Sequence, residues 1–352
     1  RLITDVGSMQ ASQPGRRIIL VGKDINMRLK ARSCCIGSED YHNDQLVTDI
    51  KQLTRGYFEV PGSFWDQVTQ VETEQVGADT LHHLSHGLLV SEILGEEVYP
   101  NQYIIDEQGF VGRVLDVDNG VVTLRHYKAD SLLDQEVWGL RPQNLQQAMA
   151  LQLLMDPDVH LVTLTGAAGS GKTILALAAA IEMTVEQKRF NKIIATRSTP
   201  PLAEEHGFLP GTEEEKMTPW MGALADNLEV LNDSPDAGSW GKAATLDLLH
   251  NRIKIRSIGF MRGRTFTNRF VIVDEAQNMT AKQMRAIVSR AGPGTKLVCL
   301  GNIAQIDSPY LSESNSGLTY VVKKFRSWAY SGHVTLQQGE RSRLAEFAAE
   351  KL

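Results

Sequence analysis

The chain has 352 residues, 42% of them hydrophobic and 22% charged, and a formal net charge of −6. That length exceeds most single cores and predicts two or three domains. The acidic balance excludes a protein that coats nucleic acid with its whole surface, so any such binding must come from local basic patches. Three cysteines cannot make a disulfide framework, no apolar run reaches the roughly eighteen residues of a membrane span, and RLITDVGSMQ carries no signal-peptide pattern. A reducing, cytoplasmic setting without a membrane is the expectation.

In chain order, residues 16–35 read as a short buried strand, an acidic turn at Asp24 and a basic helix. Residues 36–56 are polar and irregular. From Tyr57 to about residue 138 strand signals dominate, and Asp118-Asn119-Gly120 between two alternating apolar runs predicts a hairpin, because Asn-Gly tolerates the positive φ of both turn positions. His82, His83 and His86 lie in what reads as a polar connection; without cysteines or spaced carboxylates they read as surface rather than as a metal site. Arg141-Pro142 then opens a helical pattern. Strands follow at 159–165, 192–197, 253–257, 269–273, 295–300 and 333–337, with helices at 172–188, 280–291, 316–327 and 341–352 between and after them. Strands alternating with helices predict a parallel sheet covered on both faces. The expected organisation is 1–56, a partial α/β segment; 57–140, a β-rich connecting module; and 141–352, an α/β nucleotide-binding domain.

VTLTGAAGSGKT supplies the phosphate chemistry. Gly166, Ala167, Ala168, Gly169, Ser170 and Gly171 form a loop whose backbone N–H groups can approach phosphates. Lys172 reaches the β- and γ-phosphates, and the Thr173 hydroxyl binds Mg²⁺. FVIVDEAQ is a buried strand ending in Asp274, which would hold Mg²⁺, followed by Glu275, which would orient or deprotonate the attacking water. Asn144 and Gln147, one helical turn apart, offer amides that could bond adenine N6 and N7, or else are exposed residues of a Gln-rich helix. Gln305, after the strand LVCLG, could contact the γ-phosphate or its water. Thr196 and Arg197 end a neighbouring strand, where Arg197 is a candidate for nucleotide or nucleic-acid contact.

GAAGSGKT, TRSTPP, GFLPGTEEEKMTPW, RGRTF, VIVDEAQN and GNIAQID, in this order and spacing, resemble the PhoH ATPase family from about Asn144 to the C-terminus. The resemblance implies a RecA-like P-loop domain using ATP and Mg²⁺, with Gln147 reading adenine, Gln305 sensing the γ-phosphate and Thr196 in the nucleotide site. Related helicases have Gly-Asp where this chain has Gly301-Asn302, so a magnesium role for residue 302 is not carried over. IILVGKDINMRLKA resembles the late strand and helix of a PIN-domain ribonuclease, which implies that Asp24 belonged to a Mg²⁺ or Mn²⁺ cluster and that the chain begins inside that domain; from the residues alone Asp24 is equally a helix N-cap. The whole then resembles a PIN–PhoH fusion, an ATP-hydrolysing RNA-remodelling enzyme of helicase type coupled to a ribonuclease. A nucleotide-gated RNA scaffold with slow hydrolysis and a small-molecule phosphotransferase remain as alternatives.

Residues 252–269 carry six basic residues and no acid, with Phe260 and Phe266 interleaved. That combination suits single-stranded RNA through phosphate neutralisation and stacking, with Arg262 and Arg264 as contacts or, alternatively, as subunit-facing groups. A single RecA-like lobe leaves its nucleotide open on one side. The family resemblance implies a ring, commonly a hexamer; Arg341 (or Arg343) of a neighbour, at a strand-to-helix junction, would then complete the site, or else it is a surface residue capping the final helix.

Overall fold

The alternation of apolar and polar residues in FVGRVLDVD and VVTLRHYK makes a long hairpin, and the continuous apolar runs LVTLT, RFVIVD and KLVCLG make buried parallel strands. The structure, a computed structural model, describes residues 2–12, 15–22, 24–39, 53–198, 252–256, 265–308 and 311–337. Phe260, Arg262, Arg264, Arg341, Arg343, the stretch GFLPGTEEEKMTPW and the helix expected at 341–352 lie outside the described residues. The chain divides into two contact units, Arg1–Thr48 and Asp49–Leu352.

In the first unit, helix α1 (Leu2–Ser12) precedes strand β1 (Ile19–Val21), helix α2 (Ile25–Ser33) and strand β2 (Gly37–Glu39). β1 and β2 pair in parallel, and Leu20, Ala31 and Ile36 form a small core. Asp24 is the N-cap of α2: its Oδ1 accepts from the backbone N–H of Asn26 (2.9 Å) and of Met27 (3.2 Å).

The second unit holds two six-stranded sheets. In the first, β3 (Tyr57–Val60), β4 (Val71–Val76), β5 (Asp79–Ser85), β6 (Tyr103–Asp106), β7 (Phe110–Asp118) and β8 (Val121–Lys128) lie in the order β3-β6-β7-β8-β5-β4. Asn119 and Gly120 both take positive φ, 49° and 79°, so the hairpin has the expected turn. The histidine stretch is a correction. LHHLSHG is mostly strand β5, not a connection: His82 is buried against Trp65, with ring nitrogens bonded to Thr73 Oγ1 (2.9 Å) and His126 Nδ1 (3.1 Å). Leu81 and Leu84 flanking two histidines hide the alternation, because here a histidine occupies an inward strand position.

The second sheet is wholly parallel and has the order β11-β10-β12-β13-β9-β14. Its strands are β9 (Leu161–Thr165), β10 (Lys192–Arg197), β11 (Ile253–Ile255), β12 (Arg269–Asp274), β13 (Lys296–Gly301) and β14 (Ser331–Thr335). Helices α3 (Leu145–Met155) and α4 (Lys172–Ile181) share one core with Val162, Leu164, Ile272, Val298 and Leu300. Helices α5 (Ala281–Val288) and α6 (Gly317–Phe325) cover the other face, with Val271, Val273, Leu297 and Cys299. This is the expected α/β domain, and its strand order puts one strand, β13, between the strand before the glycine loop and the strand ending in Asp274. Most boundaries differ from expectation by a few residues, as β9 does by starting at Leu161 and α5 by ending at Val288. The helix begun at Lys172 changes to a wider π turn at Glu182–Glu186. β14 starts at Ser331, two residues early, because Ser331 and Gly332 pair with Leu161 and Val162 of β9; Gly332 lies under Leu153, where a Cβ would come within 2.7 Å of Leu153 Cδ1. Among the described residues no helix is long and apolar enough to cross a membrane.

The two sheets of this unit are fastened by a buried polar cluster. Asn101 Nδ2 donates to the carbonyls of Ala329 and Ser331 (2.8 Å each), and its Oδ1 accepts from Arg113 Nε (3.1 Å) and NH2 (2.6 Å). Arg113, with 4% of its side chain exposed, also pairs with Asp156 Oδ2 at 2.6 Å. Burial raises the Asp156 carboxyl pKa, but the Arg113 charge, the hydrogen bonds it accepts and Lys296 outweigh that and hold it below its ordinary 3.8. Stability from this depressed carboxyl is therefore present above pH 3.8 and lost as pH falls through the folded-state value. Removing one partner of a buried pair strands the other, so Arg113→Ala is expected to cost about 3 kcal/mol. Urea unfolding at neutral pH reads that loss; a parent-like midpoint would refute the fastening role.

Candidate nucleotide site

The glycine loop leaves β9 after Thr165 and must turn tightly into α4. Gly166, Gly169 and Gly171 take φ of 147°, 79° and 89°, values that L side chains adopt only with strain. At Gly171 a Cβ would also press on the Gln147 amide at 3.0 Å, and at Gly166 it would meet the Leu336 carbonyl oxygen at 2.6 Å. These glycines therefore serve the loop's path as well as its approach to a ligand. The ten-residue α4 begins at Lys172, so its first N–H groups and the positive end of its dipole lie at the loop.

Lys172 Nζ folds back onto the loop, donating to the carbonyls of Gly166 (2.8 Å) and Ala167 (2.7 Å) and to Ser170 Oγ (3.3 Å). Burial lowers its pKa, and the charges of Asp274 and Glu275 act against that shift. The cation therefore lies close enough to both carboxylates to feel them. Thr173 is half-buried at the second position of α4.

Asn144 and Gln147 are not the exposed helix residues that one reading allowed. Asn144 is the N-cap of α3, accepting from Gln147 N–H at 2.9 Å, a cap worth about 1 kcal/mol. Gln147, 6% exposed, accepts from Gln143 N–H (2.8 Å) and donates from Nε2 to the Ser170 carbonyl (3.2 Å). Its amide thus ties the start of α3 to the phosphate loop.

At the end of β12, Asp274 is buried and accepts from Glu275 N–H at 3.0 Å. Glu275 sits in the left-handed region, φ 50° and ψ 38°, which for a non-glycine residue costs on the order of 1 kcal/mol. Both of its oxygens are engaged. Oε1 pairs with Arg197 NH2 at 3.1 Å, and Oε2 accepts from Gln277 Nε2 at 2.5 Å. Gln277 is fully buried, donates also to the Gln305 carbonyl (3.0 Å) and accepts from Asn302 N–H (3.2 Å). Asn278 and Asp307 exchange two hydrogen bonds of 2.9 Å, so DEAQN and GNIAQID form one polar joint. Asn302 Oδ1 accepts from Ala304 N–H at 3.2 Å, which makes Asn302 a turn former. The Gln305 side chain is exposed. Thr196 is fully buried, and its Oγ1 has no hydrogen-bond partner, while Arg197 next to it reaches the site.

Lys172, Asp274, Glu275 and Arg197 are thus brought together by the ends of β9, β10 and β12, and Gln305 stands beside them. Asp24 belongs to the other contact unit. Sequence reasoning missed Gln277. Its signal is Gly301, where any Cβ would collide with the Gln277 Oε1 atom. The oxygen pair of Thr173 and Asp274 is of the hard kind that suits Mg²⁺; among the described residues no group of three or more His, Cys, Asp or Glu could hold a metal ion by itself.

A family model for PhoH-like protein matches residues 139–349. The chain is 36% identical over 349 residues to Protein PhoH2 of Bacillus subtilis, covering 97% of this chain and 74% of that protein. It is 30% identical over 355 residues to Protein PhoH2 of Mycolicibacterium smegmatis, covering 100% and 74%. Among solved structures it has a remote likeness to the Pif1 helicase of Candida albicans, 16% identical with a TM-score of 0.31, over 60% of this chain and 43% of that one.

The buried amide of Gln277 makes a stability prediction. Gln277→Ala removes donors from Glu275 and the Gln305 carbonyl and leaves the Asn302 N–H unpaired, at an expected cost of about 2 kcal/mol. Thermal or urea unfolding reads it, and a change within error of zero would mean that the joint between the two motifs is dispensable.

Proposed function

The chain belongs to the PhoH family, and on that premise we propose that residues 141–352 bind and hydrolyse ATP, driving the remodelling of single-stranded RNA. One observation carries the reading: the half-buried Lys172, at the start of α4 after the glycine loop, and Asp274 and Glu275, at the end of β12, come together at the carboxyl ends of the parallel strands. Lys172 exchanges its loop carbonyls for the β- and γ-phosphate oxygens, a charge-assisted contact stronger than the neutral ones it gives up. The loop N–H groups and the start of α4 take the remaining phosphate charge. Thr173 and Asp274 would hold Mg²⁺, which supplies further neutralisation of the phosphates when bound. Glu275 accepts a proton from the water whose oxygen bonds to the γ-phosphorus; the bond from that phosphorus to the β–γ bridging oxygen breaks, and ADP leaves with that oxygen. Gln305, exposed beside the joint, is in place to orient the water.

RNA is proposed as the partner because residues 252–269 combine six basic residues with aromatics and no acid, Arg262 and Arg264 among them. The ribonuclease part of the reading rests on residues 16–35, where Asp24 uses one oxygen to cap α2. A ring, commonly a hexamer in the family, is proposed because one lobe covers only one side of its nucleotide. The neighbour's Arg341 would then supply the missing charge at the γ-phosphate.

Two experiments test this. Lys172→Ala should abolish ATP hydrolysis, and Glu275→Gln should bind ATP yet turn over about 10²-fold more slowly or worse; steady-state phosphate release near the parent rate in either variant would sink the site assignment. Mixing Lys172→Ala with Arg341→Ala under subunit exchange should restore activity, since some interfaces then pair an intact loop with an intact arginine. Normal hydrolysis by Arg341→Ala alone would place the arginine elsewhere.

A further inference from the structure

Glu275 is a restrained base in the arrangement it occupies. A carboxylate takes a proton from water through a lone pair aimed at that water, and here each oxygen already accepts from one donor on the protein, Arg197 on one side and Gln277 on the other, which leaves one acceptor site per oxygen and sets the Arg197 cation against the arriving proton. Lifting that restraint means that one of the two lets go. Gln277 is fully buried and is tied at its far end to Asn302 and Gln305, so it is fixed. Arg197 is different. It closes β10, its register partner on β12 is Asp274, and its side chain is 35% exposed, against 30% for Glu275. Ion pairs exposed to this degree are weak and easily exchanged.

We propose that Arg197 is a phosphate-operated latch on Glu275: it holds the general base while the site rests, and it releases the base when a phosphate oxyanion takes the guanidinium. The proposal rests on the ATPase reading and adds a regulator to the same site. A guanidinium prefers a phosphate, which it can grip with two parallel N–H bonds, over a single contact to a carboxylate oxygen. Arg197 makes that single contact through NH2. Losing it frees Oε1 while Gln277 keeps Glu275 in place, so opening the latch leaves the base oriented. Two phosphates have the right chemistry, the terminal phosphate of the nucleotide and a backbone phosphate of a nucleic-acid strand. Position favours the strand: β10 is separated from the glycine-loop strand β9 by β12 and β13, three inter-strand steps of about 4.8 Å each. Arg197 therefore lies toward the outer part of the site, where a strand crossing the sheet ends would reach it first. Hydrolysis would then be slow until RNA arrives, without any large movement of the domain.

The test uses the 352-residue chain and its Arg197→Ala and Arg197→Lys variants, with Lys172→Ala as the background. ATP turnover is measured across ATP concentrations, with and without oligouridine. The latch predicts that Arg197→Ala raises kcat without RNA by about two- to fivefold, the factor that a weak exposed ion pair corresponds to. KM for ATP should stay within about twofold if Arg197 does not hold the nucleotide. Oligouridine should add nothing further to Arg197→Ala, and Arg197→Lys, which can still pair with Glu275, should return kcat toward the parent. A raised kcat that oligouridine still multiplies by the parent's factor keeps the latch and assigns its opening to the nucleotide's own phosphate. An unchanged kcat, or one lowered tenfold or more, overturns the latch; the latter would make Arg197 a transition-state contact. A parent no faster than Lys172→Ala, with Arg197→Ala equally inactive, overturns the ATPase reading itself and the latch with it. That result is distinguishable, because in every other outcome the parent exceeds the background.

Discussion

The site depends on one buried amide. Gln277 has no solvent exposure, and its carboxamide joins the side chain of Glu275, the backbone of Asn302 and the carbonyl of Gln305. Two motifs that end neighbouring strands, DEAQ on β12 and GNIAQ on β13, are thereby held at a fixed separation. A buried amide left unpaired costs about 1–3 kcal/mol, whereas a paired one contributes only about 1, so the arrangement is enforced mainly by the penalty for breaking it. Gly301 is the complementary constraint, since any side chain there would displace the amide. Gln147 repeats the device on the other side of the loop, tying α3 to Ser170. The glycine loop and the acidic strand end are each positioned by a buried glutamine rather than by their own backbone alone.

That positioning leaves the charges with partners inside the protein. Lys172 lies on the carbonyls of its own loop and Glu275 lies between Arg197 and Gln277. Unpaired, each charge would carry a desolvation penalty in this partly buried crevice, and paired, it is held away from chemistry. The pairings are unequal in a way that orders their release. Lys172 is bound by neutral carbonyls and moves readily to a phosphate, which repays the move with a charge–charge contact. Glu275 has nothing comparable to gain from a neutral water, so its release has to come from competition for its partner. A site of this kind is gated by the order in which anions arrive.

Much of this was legible in the sequence because the signals are local. LVTLT, KIIATR, RFVIVD and KLVCLG carry their strand character in continuous apolar runs, and Asn119-Gly120 carries its turn in two residues that accept positive φ. The loop glycines and Asp274-Glu275 are read from spacing, since a phosphate cradle needs glycine where the backbone turns. What escaped is what depends on partners far along the chain. Gln277 looks like the tail of a motif until Asn302 and Gln305 are brought beside it. Gln147 looks as though it faces solvent until Ser170, 23 residues on, takes its amide. His82 in a polar stretch gives no sign of a strand, because the groups that satisfy its ring, Thr73 and His126, are on other strands. Ser331 and Gly332 have no strand character of their own and join the sheet by pairing with Leu161 and Val162, 170 residues earlier, with Leu153 packed in the space that the glycine leaves.

The β-rich sheet is hydrogen-bonded to the nucleotide domain at two levels. At the amino ends of the parallel strands, Asn101, Arg113 and Asp156 form a buried polar clamp near the starts of β14 and β13, where Lys296 donates to the carbonyls of Leu153 in α3 and of Asp156 and Val159 after it. At the opposite ends, Thr335 N–H donates to the Arg55 carbonyl and Leu336 N–H donates to the Thr165 carbonyl, one residue before the first loop glycine. Gly166 in turn lies against the Leu336 carbonyl. The segment after β14 is therefore hydrogen-bonded on one side to the approach to β3 and on the other to the root of the phosphate loop. A displacement of β3 relative to the parallel sheet would have to break the amino-end clamp or strain that segment. Tyr57, Tyr103, Ile105 and Val111 of the β-rich sheet also share one apolar core with α3 and α4, so a movement of β3 is resisted by buried apolar surface as well as by these polar bonds, and the root of the phosphate loop is one of the places that would feel it.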